Sequence, residues 1–238
     1  MITITTMDTD IGAATEAAAL PLFAWLSPSY PVGAYAYSHG LEWLVETGEV
    51  KDRDTLIEFL RDILAHGGGR NDAIFFVETY RAALNDTERL GEIAELAAAF
   101  APSRERKLES LQQGRAFMDA TLAAWPAHDL AMWAAKTGDE IAYPVAVALA
   151  CAAHRMPLQS SLEAYLLAFA SNLASAVVRA VPLGQTDGQR AIAALAPLVR
   201  EIAASALEMT LDDLGGAALR IDLAAMHHET QYTRLFRS

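Results

Sequence analysis

The strongest constraint on this chain is that apolar residues recur at helical spacing along most of its length. In the clearest example they occupy offsets 0, 3, 4, 7 and 8 and so form one face of an α-helix; these residues are Leu56, Phe59, Leu60, Ile63 and Leu64. Asp52 or Asp54 can accept backbone N–H groups at the start of this helix, and the glycines at 67–69 can end it. The pattern predicts a chain built from amphipathic helices.

Helical spacing continues through the rest of the chain. It predicts helices at about residues 70–84, 87–100, 103–124, 127–136, 142–154, 187–204 and 206–225. Another helix is expected to begin at Ser160, which has capping-box spacing to Glu163, and to end before Pro182. No segment alternates apolar and polar residues between tight turns, so strands are not expected. We therefore predict an all-α fold, with one compact domain of about ten helices over residues 16–238 after a disordered, flexible segment at residues 1–15.

Composition argues against several classes of protein. The net charge of −12 does not suit a protein that binds nucleic acid through phosphates, which needs clustered Lys and Arg. The single cysteine, Cys151, permits no internal disulfide, and the first residues lack the basic and apolar segments of a secretory signal. The apolar run at 141–153 is too short to cross a bilayer, and polar residues interrupt the run at 162–181. We expect a cytoplasmic protein that binds neither nucleic acid nor membrane.

One alternative function is a serine hydrolase that uses Ser38. Residues 36–40 fit a relaxed nucleophile elbow, and residues 66–69 resemble the glycine-rich oxyanion loop of lipases. The elbow must join a strand to a helix, however, and the oxyanion loop should precede the nucleophile in the chain. Proline and glycine at 31–33 make a poor core strand, so a turn hydroxyl is the favoured interpretation of Ser38.

A second alternative is a metal-binding helical regulator. The run His-His-Glu at 227–229 resembles the start of the zinc-protease motif H-E-x-x-H, but Tyr232 stands where the second histidine ligand is needed. A cysteine and a histidine also lie three apart on an apolar helix. The candidate ligands are His227, His228, Cys151 and His154. Surface hydrogen bonding, and a buried thiol beside a helix-ending histidine, are the favoured interpretations.

Two glycines near residue 184 suggest a phosphate-binding turn. Gly184 and Gly188 precede or begin a predicted helix, where backbone amides can face an anion. Only three residues separate them, and Gln189 stands where a P-loop needs lysine. We therefore predict a turn between two helices and no bound cofactor.

Aromatic residues on a constrained loop indicate protein binding. Tyr35, Tyr37 and Trp43 lie in or beside residues 27–42, a segment with two prolines and two glycines. Tyrosines held on such a loop are typical of interface anchors. Residues 103–115 instead mix both charge signs at helical spacing, which predicts a solvated helix face, with a docking surface as the second interpretation.

Three segments together resemble the UreF family of urease accessory proteins. The first contains SP, PVGA, YS and GLE within residues 27–42, and the second contains PLGQT and GQ within residues 182–189. The third contains HE, Y and RLFRS within residues 228–238. Their order and their positions along the chain match the family, and the resemblance covers residues 20–238.

The resemblance implies an all-α, homodimeric and non-enzymatic accessory protein. Such proteins bind the accessory protein UreD, also called UreH, and through that complex recruit the nickel-carrying GTPase UreG to apo-urease. They support nickel insertion and maturation of the urease active site. In such families the C-terminal tail docks on UreD, and GTP belongs to UreG.

The residues of the C-terminal tail agree with a docking role. Leu235 and Phe236 are apolar anchors that a free terminus would seldom bury within its own domain, and Arg234 can bind a carboxylate or backbone carbonyls through its planar fork. The predicted tail contacts are His228, Glu229, Tyr232, Arg234, Leu235 and Phe236. The predicted dimer or GTPase surface consists of Tyr35, Tyr37, Ser38, Gln185 and Gln189.

Overall fold

The structure, a computed structural model, describes residues 20–181, 183–232 and 234–237. Within these ranges all regular structure is helical and no strand occurs, which confirms the all-α prediction. The segment expected to be disordered, residues 1–15, lies outside the described residues. Residues 20–25 are helical. From residue 41 onward the described chain forms ten α-helices: α1 (Leu41–Glu46), α2 (Arg53–His66), α3 (Gly68–Asn85), α4 (Leu90–Ala99), α5 (Arg104–Ala124), α6 (Leu130–Thr137), α7 (Tyr143–Ala153), α8 (Leu158–Ala180), α9 (Gln185–Ala206) and α10 (Leu219–His228).

Helix α7 lies at the centre of the apolar core. Every residue from Pro144 to Ala152 is buried, because α3, α5 and α6 pack around this helix. Most of these side chains are small, so the neighbouring helices can approach closely. Helices α2, α3 and α9 pack against α8, and α10 packs on α1. A cluster of buried apolar residues continues from Leu22 to Ala224. The division of the chain into a single domain stays a prediction.

Helix α2 forms as its sequence pattern predicts. The carboxylate of Asp52 accepts the backbone N–H of Thr55 at 2.9 Å, and the Thr55 hydroxyl completes a capping box. The five periodic apolar residues from Leu56 to Leu64 are all buried. Gly67 ends α2 and Gly68 begins α3, so the glycines close one helix and open the next.

The predicted start of α8 is wrong by two residues. The helix begins at Leu158, directly after Pro157, and Ser160 lies within its first turn. The Ser160 hydroxyl donates to the Pro157 carbonyl oxygen at 3.3 Å, and Glu163 accepts a hydrogen bond from Gln159. The capping-box spacing therefore occurs inside the helix, where Ser160 has no free N–H group to cap.

The helix predicted at 206–225 is interrupted in the structure. Helix α9 ends at Ala206, and α10 begins only at Leu219. Between them Thr210 and Asp213 form a capping box around a short 3₁₀ turn, and a glycine pair follows. These local turn signals override the apolar spacing on which the prediction rested.

Helix α8 is the one helix in the described ranges that is long and apolar enough to cross a bilayer. Half of its most apolar window is buried inside the protein, where it packs against α2, α3 and α9. The core helix of a compact protein passes the same test of length and composition, so the finding is weak support for a membrane span.

A close backbone approach joins Gly40 to α10. A Cβ atom on Gly40 would lie 2.5 Å from the backbone nitrogen of Ala225. Gly40 also has a φ of +76°, a backbone conformation that residues with a Cβ rarely adopt. Because α1 begins at the next residue, glycine at this position sets how closely α1 and α10 can pack.

We expect Gly40→Ala to destabilise the protein more than Gly48→Ala. Gly48 has a φ of +75°, but a Cβ there would meet no atom within 4 Å. Gly48→Ala should therefore cost only the left-handed backbone strain, about 1 kcal/mol. Gly40→Ala should cost about 2 kcal/mol more, because α10 must move. Urea unfolding followed by circular dichroism measures both, and equal costs would contradict the close approach.

Candidate partner-binding site

Residues 33–40 form an irregular loop before α1 that depends on left-handed backbone conformations. Gly33 has a φ of +72° and leads into a 3₁₀ turn, and His39 and Gly40 have φ values of +56° and +76°. The loop turns Tyr37 and the following serine into the protein, whereas Tyr35 is 69% exposed. The loop therefore has an inner side, which carries Tyr37, and an outer side, which carries Tyr35.

The carboxylate of Glu42, in the first turn of α1, binds the C-terminal tail. Its Oε1 accepts the Leu235 N–H at 2.6 Å, and its Oε2 accepts the Phe236 N–H at 2.9 Å. The N–H of Arg237 donates to the Ala36 carbonyl oxygen at 2.7 Å. A buried carboxylate loses its hydration, and charge-assisted bonds from backbone amides replace it. Glu42 thus fixes the tail backbone against the loop.

His228, the last residue of α10, lies fully buried between two carboxylates. Its Nδ1 is 2.8 Å from Glu105 Oε2, and its Nε2 is 3.2 Å from Glu42 Oε2. Arg234 donates to the other Glu105 oxygen at 2.7 Å. Each ring nitrogen of His228 thus contacts a carboxylate, and Arg234 pairs with one of the two carboxylates. The cluster joins α1, α5, α10 and the tail.

A second polar cluster lies beneath the loop on α5. His39 Nε2 is 2.9 Å from Glu109 Oε1 and 2.6 Å from Arg106 Nη1. Arg106 also pairs with Glu109, and Gln113 donates to Glu109 at 2.9 Å. Burial, followed by the Arg106 charge, lowers the pKa of His39, whereas Glu109 raises it.

Arg179, in the last turn of α8, contacts both the loop and the tail. Its Nη2 donates to the Tyr35 carbonyl oxygen at 2.7 Å, and its guanidinium lies 4.9 Å from the centre of the Phe236 ring. Gln185 and Gln189 follow at the start of α9. Arg179 therefore holds the loop and the tail near the end of α8, beside the turn that leads into α9.

Comparison with known proteins identifies the family. The UreF family model matches residues 50–196 of the chain. The urease accessory protein UreF of Xanthobacter autotrophicus is 56% identical over 232 residues, which cover 95% of this chain and 96% of the relative. The chain belongs to the UreF family of urease accessory proteins. UreF proteins of Methylobacterium sp. and Rhodopseudomonas palustris are 53% and 52% identical over 92% and 96% of this chain, and over 88% and 96% of their own lengths.

The structure divides the predicted UreF-type contact residues into an exposed and a buried group. The exposed group is Tyr35, Gln185, Gln189, Tyr232, Arg234 and Leu235. The buried group is Tyr37, Ser38, His228 and Phe236, and Glu229 is partly buried. The buried group holds the loop and the tail in place. Contact between any of these residues and a partner stays a prediction.

The expectation that the tail leaves its apolar residues unburied within its own domain is wrong for Phe236. Leu235 is 73% exposed, but Phe236 is 7% exposed and packs under Arg179. The reason is that Glu42 and Ala36 bind the tail backbone, which brings Phe236 onto the protein.

Several residues of the site were not predicted from the sequence. They are Glu42, Glu105, Arg106, Glu109 and Arg179. Residues 103–115 were expected to form a solvated helix face, yet Glu109 and Gln113 are 4% and 6% exposed. Arg106, Glu109 and Gln113 do recur on one helix face, but that spacing is the same for a solvated and a buried polar face.

The geometry does not support the hydrolase alternative. Ser38 is 1% exposed, and it leads into α1 from the loop, with no strand before it in the described residues. Its hydroxyl oxygen accepts the Glu42 N–H at 3.4 Å, which confirms the interpretation as a turn hydroxyl. The glycines at 67–69 join α2 to α3.

The described residues also offer no site for the metal-binding alternative. The described ranges contain no group of three His, Cys, Asp or Glu residues that could hold a metal ion. His227 stacks on Trp43, with ring centroids 5.0 Å apart. Cys151 is fully buried, and burial raises the pKa of its thiol to about 12. His154 follows the end of α7, so the interpretation as a buried thiol near a helix-ending histidine is confirmed.

We expect Glu42→Gln to release the tail without unfolding the protein. Glutamine keeps the size of the side chain but loses the charge and one of the two acceptor oxygens that Leu235 and Phe236 use. Amide hydrogen exchange of these two residues should accelerate at least ten-fold, since bonds to charged groups contribute about 1.5–3 kcal/mol. The matched control is Glu49→Gln, which removes an exposed pair with Arg220. Unchanged protection in Glu42→Gln would contradict the role of this carboxylate.

A second prediction concerns Asp72 on α3, which lies beside the Arg106 cluster. Tyr165 donates to its Oδ2 at 2.8 Å, and burial raises the pKa of Asp72 to about 6. A folded-state pKa above the unfolded value stabilises the protein at low pH, and this stability is lost as the pH rises through about 6.

The expected result is that the wild type loses about 1 kcal/mol relative to Asp72→Asn between pH 5.5 and 7.5. Asparagine keeps an acceptor for Tyr165 but does not ionise. Urea unfolding of both proteins at the two pH values measures the difference. A constant difference would show that Asp72 titrates alike in the folded and unfolded chain.

Proposed function

We propose that this chain is a non-enzymatic, homodimeric component of the cytoplasmic urease maturation machinery. It binds UreD (UreH) and recruits the nickel-carrying GTPase UreG to apo-urease, which supports nickel insertion into the urease active site. Family membership supports the general role in urease maturation. The surface properties of α10 and the tail support the choice of contacts.

The observation that carries the proposal is an apolar stripe on the solvent side of α10. Leu219, Leu223 and Met226 are 69%, 46% and 48% exposed and lie at offsets 0, 4 and 7, so they share one helix face. The opposite face, with Ile221 and Ala225, is buried against the protein. A group of exposed apolar side chains on one face marks a protein-binding surface.

The tail extends this surface beyond the end of α10. Tyr232 is fully exposed and Leu235 is largely exposed, although Phe236 beside it is buried. Because Glu42 fixes the tail backbone, these side chains are presented without first having to order the segment. We assign this surface, consisting of Leu219, Leu223, Met226, Tyr232 and Leu235, to UreD.

A second surface lies where Arg179 holds the outer side of the loop. Tyr35 is exposed there, and Gln185 and Gln189 are exposed at the adjacent start of α9. We assign this surface to the dimer contact or to UreG. The net charge of −12 favours a basic or metal-carrying partner, because opposite charge accelerates association.

The experiment compares Met226→Glu with Met132→Glu. Both methionines are about half exposed, at 48% and 53%, but Met132 lies on α6. A glutamate within the α10 stripe should weaken binding of purified UreD at least ten-fold, or about 1.4 kcal/mol. Met132→Glu should bind like the wild type, and neither change should lower the unfolding temperature. Equal affinities of the two variants would remove the α10 assignment.

The role in maturation has a separate readout. Urease isolated from cells that lack this chain should contain much less nickel than urease from cells that express it, by metal analysis. Full nickel content without the chain would overturn the proposed function. Deletion of residues 228–238 is a less specific test, because it also exposes the carboxylate of Glu42.

A further inference from the structure

A small cleft beside α10 opens to solvent. It lies between the start of α3, the start of α5 and α10, and has a volume of about 170 Å³. Phe100, Pro102 and Gly216 line the cleft and are exposed, so a group from another molecule can enter it. Pockets for drug-sized ligands have roughly 300 Å³ or more, so this cleft suits a single side chain better than a larger ligand.

Two carboxylates of the cleft form no ion pair with a positively charged side chain among the described residues. They belong to Asp72, near the start of α3, and to Asp222, in the first turn of α10. Asp72 accepts a hydrogen bond from the Tyr165 hydroxyl. Burial raises the pKa of Asp222, and it raises the pKa of Asp72 to about 6, although the Arg106 charge lowers both. The Arg106 charge therefore does not offset the hydration that these carboxylates lose.

Arg106 also lines the cleft, but it already pairs with a different carboxylate. Its guanidinium donates to Glu109 and lies within hydrogen-bond distance of His39. Glu109 is 4% exposed, so this ion pair is internal to the protein and its two charges offset each other. The two aspartates then give the cleft a net negative charge when they are ionised, which attracts a positively charged group.

The wall of the cleft is apolar and partly aromatic. Phe75 and Phe100 pack edge to face with ring centroids 5.9 Å apart, and Pro102 also lines the cleft. Lysine and arginine carry their charge on a long apolar stem. Such a stem can pack on the two rings, whose faces also attract a cation. Acidic and aromatic groups in one small cleft therefore fit a basic side chain.

The cleft adjoins the apolar stripe on α10. Asp222 lies three residues after Leu219 and four residues before Met226, so it is a neighbour of both on the helix surface. Ile221 and Ala225 of the same helix line the cleft. A protein that covers the stripe therefore comes within reach of the cleft.

We propose that the cleft takes a lysine or arginine side chain of the protein that binds the α10 stripe. The charged head pairs with the aspartates, and the stem packs on Phe75 and Phe100. This inference rests on the proposed function, which assigns the stripe to UreD. It makes Asp222 a determinant of specificity, because a partner without a basic residue at this place would leave the aspartates desolvated and unpaired.

The test measures the affinity of purified UreD for the full chain with the substitution Asp222→Asn. Asparagine keeps the size of the side chain and removes its charge, so binding should weaken at least ten-fold at low salt. The affinity of the variant should also fall less steeply with added sodium chloride than the affinity of the wild type. An unchanged affinity with an unchanged salt dependence would overturn the proposal.

The matched control is Asp86→Asn, the same substitution at an exposed aspartate that follows the other end of α3. It should bind UreD like the wild type. Stability provides a second readout. Because burial raises the pKa of Asp222 in the folded chain, Asp222→Asn should unfold at the same or a higher urea concentration than the wild type at pH 7.5. A lower unfolding midpoint would show that Asp222 supports the fold, which contradicts the proposal.

Comparison with Met226→Glu separates this inference from the proposed function. If Met226→Glu weakens UreD binding and Asp222→Asn does not, the α10 assignment stands and the inference about the cleft is wrong. If neither variant weakens UreD binding, both are wrong. If Asp222→Asn weakens only the binding of UreG, the basic side chain belongs to another partner, and its assignment to UreD is overturned.

Discussion

The carboxylate of Glu42 is the interaction on which the arrangement of the loop and the tail depends. It accepts the backbone N–H groups of Leu235 and Phe236 and also binds His228 at the end of α10. Phe236 is buried but Tyr232 and Leu235 are exposed, so charge-assisted hydrogen bonds add to burial in holding the tail on the protein. Glu42 can reach these groups because Gly40, two residues earlier, allows the backbone of α10 to approach.

Several charged groups are therefore buried away from water. Hydrogen-bond and ion-pair partners offset the hydration that each of them loses. Glu42 and Glu105 face His228 and Arg234, whereas Glu109 faces Arg106 and His39. Such clusters add little net stability compared with an apolar core, but removal of one member leaves a buried charge unpaired. Their effect is to make one conformation of the loop and the tail more favourable than the alternatives.

Because buried contacts fix the backbone of the loop and the tail, the exposed side chains of both segments form defined surfaces. The buried residues Tyr37, His228 and Phe236 fix the backbone, and their neighbours Tyr35, Tyr232 and Leu235 face solvent. Arg179 contacts both segments, so it couples the outer side of the loop to the tail. Under the proposed function, a partner that displaces the tail would also disturb the surface near α9.

The sequence by itself determined the helical class and most helix positions, because apolar spacing records which face of each helix is buried. The prediction at 103–124 matches α5, and that at 142–154 matches α7, to within a residue. The break after Ala206 was missed because apolar spacing continues through its turn signals. Only the tertiary structure decided that Glu109 is buried and that Phe236 packs on its own domain. Burial of a charge depends on partners distant in the chain, and no local pattern encodes those partners.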